Sequence, residues 1–437
     1  MSLSSNQKNF LLFLSLFVLR TGFGLLQARW FEVDQLQTYL IGLKSYTTGT
    51  WPWFGPDVNG IENGFHSQIP GALEGLLVGV PFHLLPIPEA PFLFLNLMST
   101  AAVLLLAAYI HRRLPALSYP WLCLWIAIAP WSLHEATTVL NPSYVFLPST
   151  LFFIGFLEAT PTFSSDQLPA PWANAAMGLS IFWIMQFHFS YVYLLPLVAF
   201  SFFDQWRKER GAAGLGFFSL GALPPLGLVI PTYLKFGLGA TNVASGFAVP
   251  FNWSNVGEFT TILARFLSLV SFEMPRFIGQ TNHERYDFLL GHPLLLVPGA
   301  VLWIAGILQA VALLVLWFKK DHPAPGWAKI KWLLLMLWLM VEVSFWFTVK
   351  LPIAHIYFVL FPFIMFYSCY VWALFAGDGR WRTTAKVFLA LGLFFQVVYA
   401  LQLAPQCSIY PQREKVAKAL QEKDYRLMGE RRAGSLY

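Results

Sequence analysis

The chain has 437 residues, 57% hydrophobic and 11% charged, with a mean hydropathy of +0.58 and a net charge of +6. A soluble domain carries roughly 25% charged residues, so this composition excludes a soluble protein and indicates a polytopic membrane protein. The basic residues fall in short clusters between apolar runs, a pattern of membrane topology rather than of nucleic-acid binding.

Apolar runs of about 20 residues, the length a crossing helix needs, recur along the chain. The alternation of a β-barrel is absent. The fold expected is therefore an all-α polytopic membrane protein. Its first span is read at about Asn9–Gln27, as a retained helix with Lys8 on the cytoplasmic side. Residues 28–90 then form a long first extracytoplasmic loop. Within it, Gln35–Thr47 reads as a short amphipathic helix. Ile69–Leu85 is apolar but broken by Pro70, Gly71, Glu74, Gly75, Gly79, Pro81 and His83, and is expected to be interfacial or re-entrant.

Further spans are expected at about 91–110, 115–131, 143–158, 172–186, 188–203, 213–235, 289–317, 328–348, 353–375 and 384–403. That makes about eleven in all, forming a transmembrane domain over residues 1–403. On this count the cytoplasmic connections hold His111-Arg112-Arg113, Arg207 to Arg210, Lys319, Lys320, Lys329 and Lys331, and Arg380, Arg382 and Lys386. That agrees with the positive-inside rule. One connection, 159–171, departs from it and carries only Asp166. The other face owns 28–90, 132–142, 236–288 and 349–354, and the extramembrane tail 404–437. The tail's seven Lys and Arg against four acids would favour the cytoplasm. The three cysteines, Cys123, Cys369 and Cys407, lie far apart and form no metal or disulfide pattern.

Ionisable groups at membrane level are costly, and each is a functional candidate. Just past the first span the chain reads Trp30-Phe-Glu-Val-Asp-Gln35. Glu32 and Asp34 suit a general base or a metal ligand, fixed by the helix that follows. They equally suit a cap on that helix. In the second outer loop His134 and Glu135 combine imidazole and carboxylate, which suits a divalent metal such as Mg or Mn, or simple loop polarity. His188 lies between two apolar runs and needs a partner there. Lys350, His355 and Tyr357 open a late span and suit a phosphate, or an interfacial belt. His66 ends the first loop. Arg265, Arg276, His283 and Arg285 populate the large outer loop 236–288 and His292 follows it; basic groups there suit an anionic head group, or are simple solvated charge. Glu258–Glu273 reads as an amphipathic helix lying against the membrane. Dinucleotide, Walker, zincin and nucleophile-elbow motifs are missing from any suitable setting.

Taken in order, these features resemble the membrane-embedded glycosyltransferases of the C superfamily (GT-C). The likeness is to family-39-like enzymes akin to protein O-mannosyltransferases and the lipid A aminoarabinose transferase. An acidic motif opens the first outer loop in that family, and Val33-Asp34-Gln35 stands in its place, with Gln35 where a second acid is usual and Glu32 nearby. Gly55 to Asp57, Pro70-Gly71, Ala129-Pro130, Asn141-Pro142-Ser143, Gln186-x-His188, Leu223-Pro224-Pro225 and His355-x-Tyr357 follow over residues 10–370. The resemblance implies an inverting transfer of a sugar from a polyprenyl phosphate or diphosphate to a glycan, lipid or protein hydroxyl. The site would face the periplasm or exterior from a bacterial inner membrane. Asp34 would act as base, and His66, His188, His355, Lys350, Tyr357 and Arg276, or a divalent metal, would stabilise the leaving phosphate. Two other readings use the same lipid-linked sugar: a transporter or flippase, and a surface-polysaccharide polymerase or ligase. A transporter is expected to show paired broken helices and an internal repeat, which the sequence lacks.

Overall fold

The computed structural model describes residues 4–27, 33–57, 68–209, 211–237, 251–273, 277–278, 281–319, 322, 324–348, 354–404 and 409–428. The chain opens with α1 (Ser5–Gln27), α2 (Val33–Thr48), β1 (Phe54–Asp57), β2 (Gln68–Pro70) and α3 (Leu73–Leu84). There follow α4 (Ala90–Arg113), α5 (Tyr119–Ile128), α6 (Pro130–Glu135), α7 (Phe146–Ala159), α8 (Ala170–Met185), α9 (Leu195–Trp206) and α10 (Gly211–Phe236). After α11 (Trp253–Val256), α12 (Phe259–Ser268) and α13 (Asn282–Gly291) come α14 (Pro293–Trp317), α15 (Trp327–Phe345), α16 (Phe361–Ala373), α17 (Gly379–Leu403) and α18 (Ile409–Glu422). Four 3-10 turns, at Asn141–Val145, Phe189–Leu194, Ala354–Leu360 and Tyr425–Met428, join them.

Among the described residues six helical segments are long and apolar enough to cross a membrane alone: Asn6–Gln27, α4, Asn141–Ala159, α10, α14 and α17. Of the other expected spans, α15 is a continuous helix of 19 residues that carries Lys329, Lys331 and Glu342, and the rest are shorter or composite. Residues 115–131 become α5 and α6, broken at Ala129, whose φ of −53° and ψ of 131° suit a residue before proline. Residues 188–203 and 353–375 each enter through a 3-10 turn. α3 has 12 residues, so at about 1.5 Å each it falls well short of a bilayer's ~30 Å core. It lies instead beside α2, after a two-stranded antiparallel ribbon of β1 and β2.

Polar groups bind the bundle together, since apolar side chains gain little by leaving lipid for one another. Arg20, fully buried in α1, donates to the carbonyls of Ala127 (2.8 Å) and Ser132 (2.8 Å) and to the hydroxyls of Ser132 (3.1 Å) and Ser99. It thus satisfies the α5–α6 break and ties it to α1 and α4. At the opposite face, Arg113 meets Glu158 at 2.7 Å. Glu158 also accepts from Tyr109, Ser164 and Ser165 and from the backbone of Gln167. Lys329 reaches the Thr162 carbonyl at 2.7 Å. The connection 159–171, poor in bases of its own, is thus held by bases of neighbouring elements.

The expectation for Glu258–Glu273 needs correction. α12 does not lie flat against the membrane. It packs against α14 and α15, with Leu263, Phe266 and Leu267 facing Leu313, Leu314 and Trp338 over an apolar gap. The chain then turns back beside the middle of α14. Gln309 accepts from the Phe272 amide (3.1 Å) and donates to the Val270 carbonyl (3.3 Å). A Cβ at Gly306 would lie 2.5 Å from the Glu273 nitrogen, so only glycine lets this turn approach. By Phe277 the chain is back beside His134 and Tyr399. A helix in and a turn out make a re-entrant hairpin, and Gln309 satisfies its buried backbone.

The tail returns to the first loop. Arg413 of α18 pairs with Glu89, and the Lys44 ammonium of α2 lies 5.8 Å from the Tyr425 ring centroid. The tail therefore shares a face with α2 and α3, where the span count puts it and the charge rule alone would not.

Candidate functional site

Three irregular elements converge at the α2–α3 face. The 3-10 turn Ala354–Leu360 contacts those at Asn141–Val145 and Phe189–Leu194, and also α6 and α12. The turn at Asn141–Val145 contacts α2 in turn. Asp34 stands in the first turn of α2 and His355 in the turn Ala354–Leu360; their side chains fall outside the description, and Glu32, His66, Arg276 and Lys350 lie outside the described residues.

Beside α2 sits a carboxylate that the sequence reading treated only as a break in an apolar run. Glu74 of α3 is fully buried, and Thr38 donates its hydroxyl to Oε1 at 3.1 Å. Among the described residues Glu74 Oε2 has no hydrogen-bond partner, and neither has the buried Tyr144 hydroxyl, its electrostatic neighbour. Burial pushes the Glu74 pKa well above the usual carboxylate range. Gly55 of β1 leaves the room, since a Cβ there would stand 2.8 Å from Oε2. A lone acid in an apolar run was the legible signal.

Tyr357 is fully buried, and its hydroxyl too has no partner among the described residues. Its electrostatic neighbours are Tyr193, Glu342 and Arg265. Ser344 donates to the Tyr193 hydroxyl at 3.0 Å, and Trp346 donates to Glu342 at 3.3 Å. Arg265, on α12, also feels Glu273 and Arg285. Arg265, Glu273, Thr261 and Ser268 line a cavity of about 560 Å³, whose other wall is the middle of α14. Ile307 and Val311 on that wall are half exposed, so the cavity opens on the outer surface of the bundle, where lipid would lie. It is thus a charged recess with an apolar rim.

Other candidates have structural partners. His188 caps the turn Phe189–Leu194: its Nδ1 accepts from the Ser190 amide at 3.1 Å and pairs with the Ser190 hydroxyl at 2.9 Å. Gln186 of the same motif is a strut, accepting from the Leu73 amide and donating to the Pro225 carbonyl. The His134 ring stacks on Phe277 and lies edge-on to Phe23, with Nε2 at 3.1 Å from Gln396 Oε1. Desolvation lowers its pKa to about 3 and raises that of Glu135 to about 7. Among the described residues no three His, Cys, Asp or Glu converge to hold an ion.

No family model matches the chain, and no curated protein does. Among solved structures, ArnT from Cupriavidus metallidurans bound to undecaprenyl phosphate aligns over 99% of this chain and 76% of that one, at a TM-score of 0.53 and 12% identity. The apo state of the same protein aligns over 99% and 78%, at a TM-score of 0.46 and 12% identity. The likeness to the lipid-bound structure shows the fold: an all-α polytopic membrane protein of the kind the GT-C resemblance implies.

Proposed function

We propose that this chain is an inverting glycosyltransferase. It moves a sugar from a polyprenyl phosphate or diphosphate to an acceptor hydroxyl on a glycan, lipid or protein, at the face carrying α2 and α3. In a bacterial inner membrane that face would be periplasmic. One observation carries the reading: the turn Ala354–Leu360, which carries His355 and Tyr357, contacts both α12, which carries Arg265, and the turn Asn141–Val145, which in turn contacts α2, the helix that begins at the acidic motif. The fold adds support, since ArnT is described bound to undecaprenyl phosphate.

In the proposed reaction the acceptor oxygen attacks the anomeric carbon from the side opposite the phosphate. Asp34 accepts the hydroxyl proton. The bond from the anomeric carbon to the phosphate oxygen breaks, and the phosphate leaves with the electron pair. Charge builds on that phosphate, so fixed cations and hydroxyl donors beside it lower the barrier. We assign this role to Arg265 and Tyr357, with His66, Arg276, Lys350 and His355 as further partners.

Reconstituted protein with a polyprenyl-phosphate sugar donor tests the reading. D34N should insert and fold yet lose transfer, and E32Q should show whether the second acid shares the role. A parental rate in D34N would remove Asp34 as the base.

A further inference from the structure

A second groove, of about 290 Å³, opens at the other end of the bundle, between the starts of α5 and α17 and the end of α16. Trp121, Trp125, Trp372 and Trp381 line it, together with the buried Phe272 of the re-entrant turn and the buried Leu389. Arg382 and Lys386 stand among the tryptophans, with the Lys386 ammonium 5.7 Å from the Trp121 ring centroid. Among the described residues no carboxylate lines the groove. The nearby Asp378 caps α17, accepting from the Arg380 amide at 2.8 Å.

Topology explains basic residues at this face, but not a concave, tryptophan-walled slot between them. Nor does helix stability favour the cations there. Arg382 closes the first turn of α17, where the helix dipole is positive and an anion, not a cation, is welcome, and Lys386 lies one turn further on. An anion held between them would answer both the side chains and the helix end. The groove reaches from Arg382 to Leu389, about 10 Å at 1.5 Å per residue, and its lower part is wholly apolar. A ligand that fits is charged at one end and hydrocarbon at the other.

We infer that this groove binds an anionic phospholipid of the adjoining leaflet, with one acyl chain between the tryptophans and the phosphate between Arg382 and Lys386. The bound chain would rest on Phe272, which stacks on Trp125 at 6.2 Å and precedes Glu273 of the recess described above. Occupancy would therefore brace the re-entrant turn from behind. The site stands independently of the reaction proposed for the other face.

Native mass spectrometry of the full-length protein tests this, with phosphatidylglycerol and phosphatidylcholine offered at equal concentration. Phosphatidylglycerol adducts should be retained preferentially. R382Q/K386Q should cut that preference on the order of tenfold, as expected for two cations near a lipid phosphate. R207Q/K208Q removes two exposed bases of the same face away from the groove and should leave the preference intact. A385F, which plugs the groove and keeps both cations, should cut it as R382Q/K386Q does. The inference is overturned by no anionic preference in the parent, by equal loss in R207Q/K208Q, or by full retention in A385F.

Discussion

Thr38 gives its hydroxyl proton to Glu74 across 3.1 Å, one helical turn after Asp34 on the same helix. The bond fixes α2 against α3 at the point where the proposed base must be held still. A general base works only within hydrogen-bond reach of its proton, so a small shift of α2 should appear in turnover. T38V removes the donor and leaves a buried carboxyl unpaired, a loss of about 1–3 kcal/mol. It should lower kcat with little change in donor KM. Burial shifts Glu74 toward its neutral form, so E74Q, which keeps the shape and the acceptor for Thr38, should retain most activity, whereas E74A should not. A parental kcat in T38V would show that α2 is positioned by other contacts.

Arg20 is predicted to be structural. Its planar fork serves two carbonyls and two hydroxyls at once, which a lysine ammonium on a single stem cannot do. R20K and R20A should both lower the unfolding temperature in detergent, by a loss of about 2–4 kcal/mol in stability. Transfer per folded molecule should stay near the parental value. A variant that keeps its stability but loses transfer would move Arg20 into the site.

His134 and Glu135 adjoin but respond to pH with opposite signs. The His134 pKa is lowered to about 3 from an ordinary 6.5, so stability is lost as pH falls below 6.5 toward 3. The Glu135 pKa is raised to about 7 from 4.5, so stability is lost as pH rises from 4.5 through 7. Between pH 4.5 and 6.5 the two slopes oppose each other. E135Q should expose the histidine slope, with an unfolding temperature that drops on acidification. H134Q should expose the other, with a temperature that rises on acidification over the same range. Parallel profiles for parent and both variants would show that neither group is held as the structure has it.

Span positions were legible in the sequence because a run of about 20 apolar residues has few other uses. The re-entrant hairpin was not. Phe259–Ser268 has a strong apolar stripe, and such a stripe fits a helix lying in the interface as well as one inserted in a bundle. Its mark lay elsewhere, in α14: a glycine and a glutamine three residues apart at the middle of an apolar helix, Gly306 for close approach and Gln309 for stranded backbone. Arg20 and Glu74 were legible on the same ground, each a lone charge in an apolar run, yet a charge in such a run does not say whether it braces or reacts. The convergence of Tyr357 with Arg265 was beyond sequence, since the two lie in separate outer segments that only the fold brings together.

Gln309 offers the sharpest test of how the hairpin serves the site. Its amide satisfies one N–H and one carbonyl of the turn at Val270–Phe272, and water does not replace it inside a bilayer. Q309L keeps the volume but strands both groups, so the turn should loosen while α14 itself stays helical. Glu273 follows Phe272 directly, and Arg265 stands one turn of α12 before the hairpin bends. If Arg265 binds the donor phosphate, its loosening should raise the donor KM severalfold, about 1 kcal/mol, with a smaller effect on kcat. R265Q should raise the donor KM at least as much, and the double variant should add little, because both substitutions remove one contact. Additive losses would mean that Gln309 acts on transfer by another route, and an unchanged donor KM in R265Q would take the recess out of the donor site.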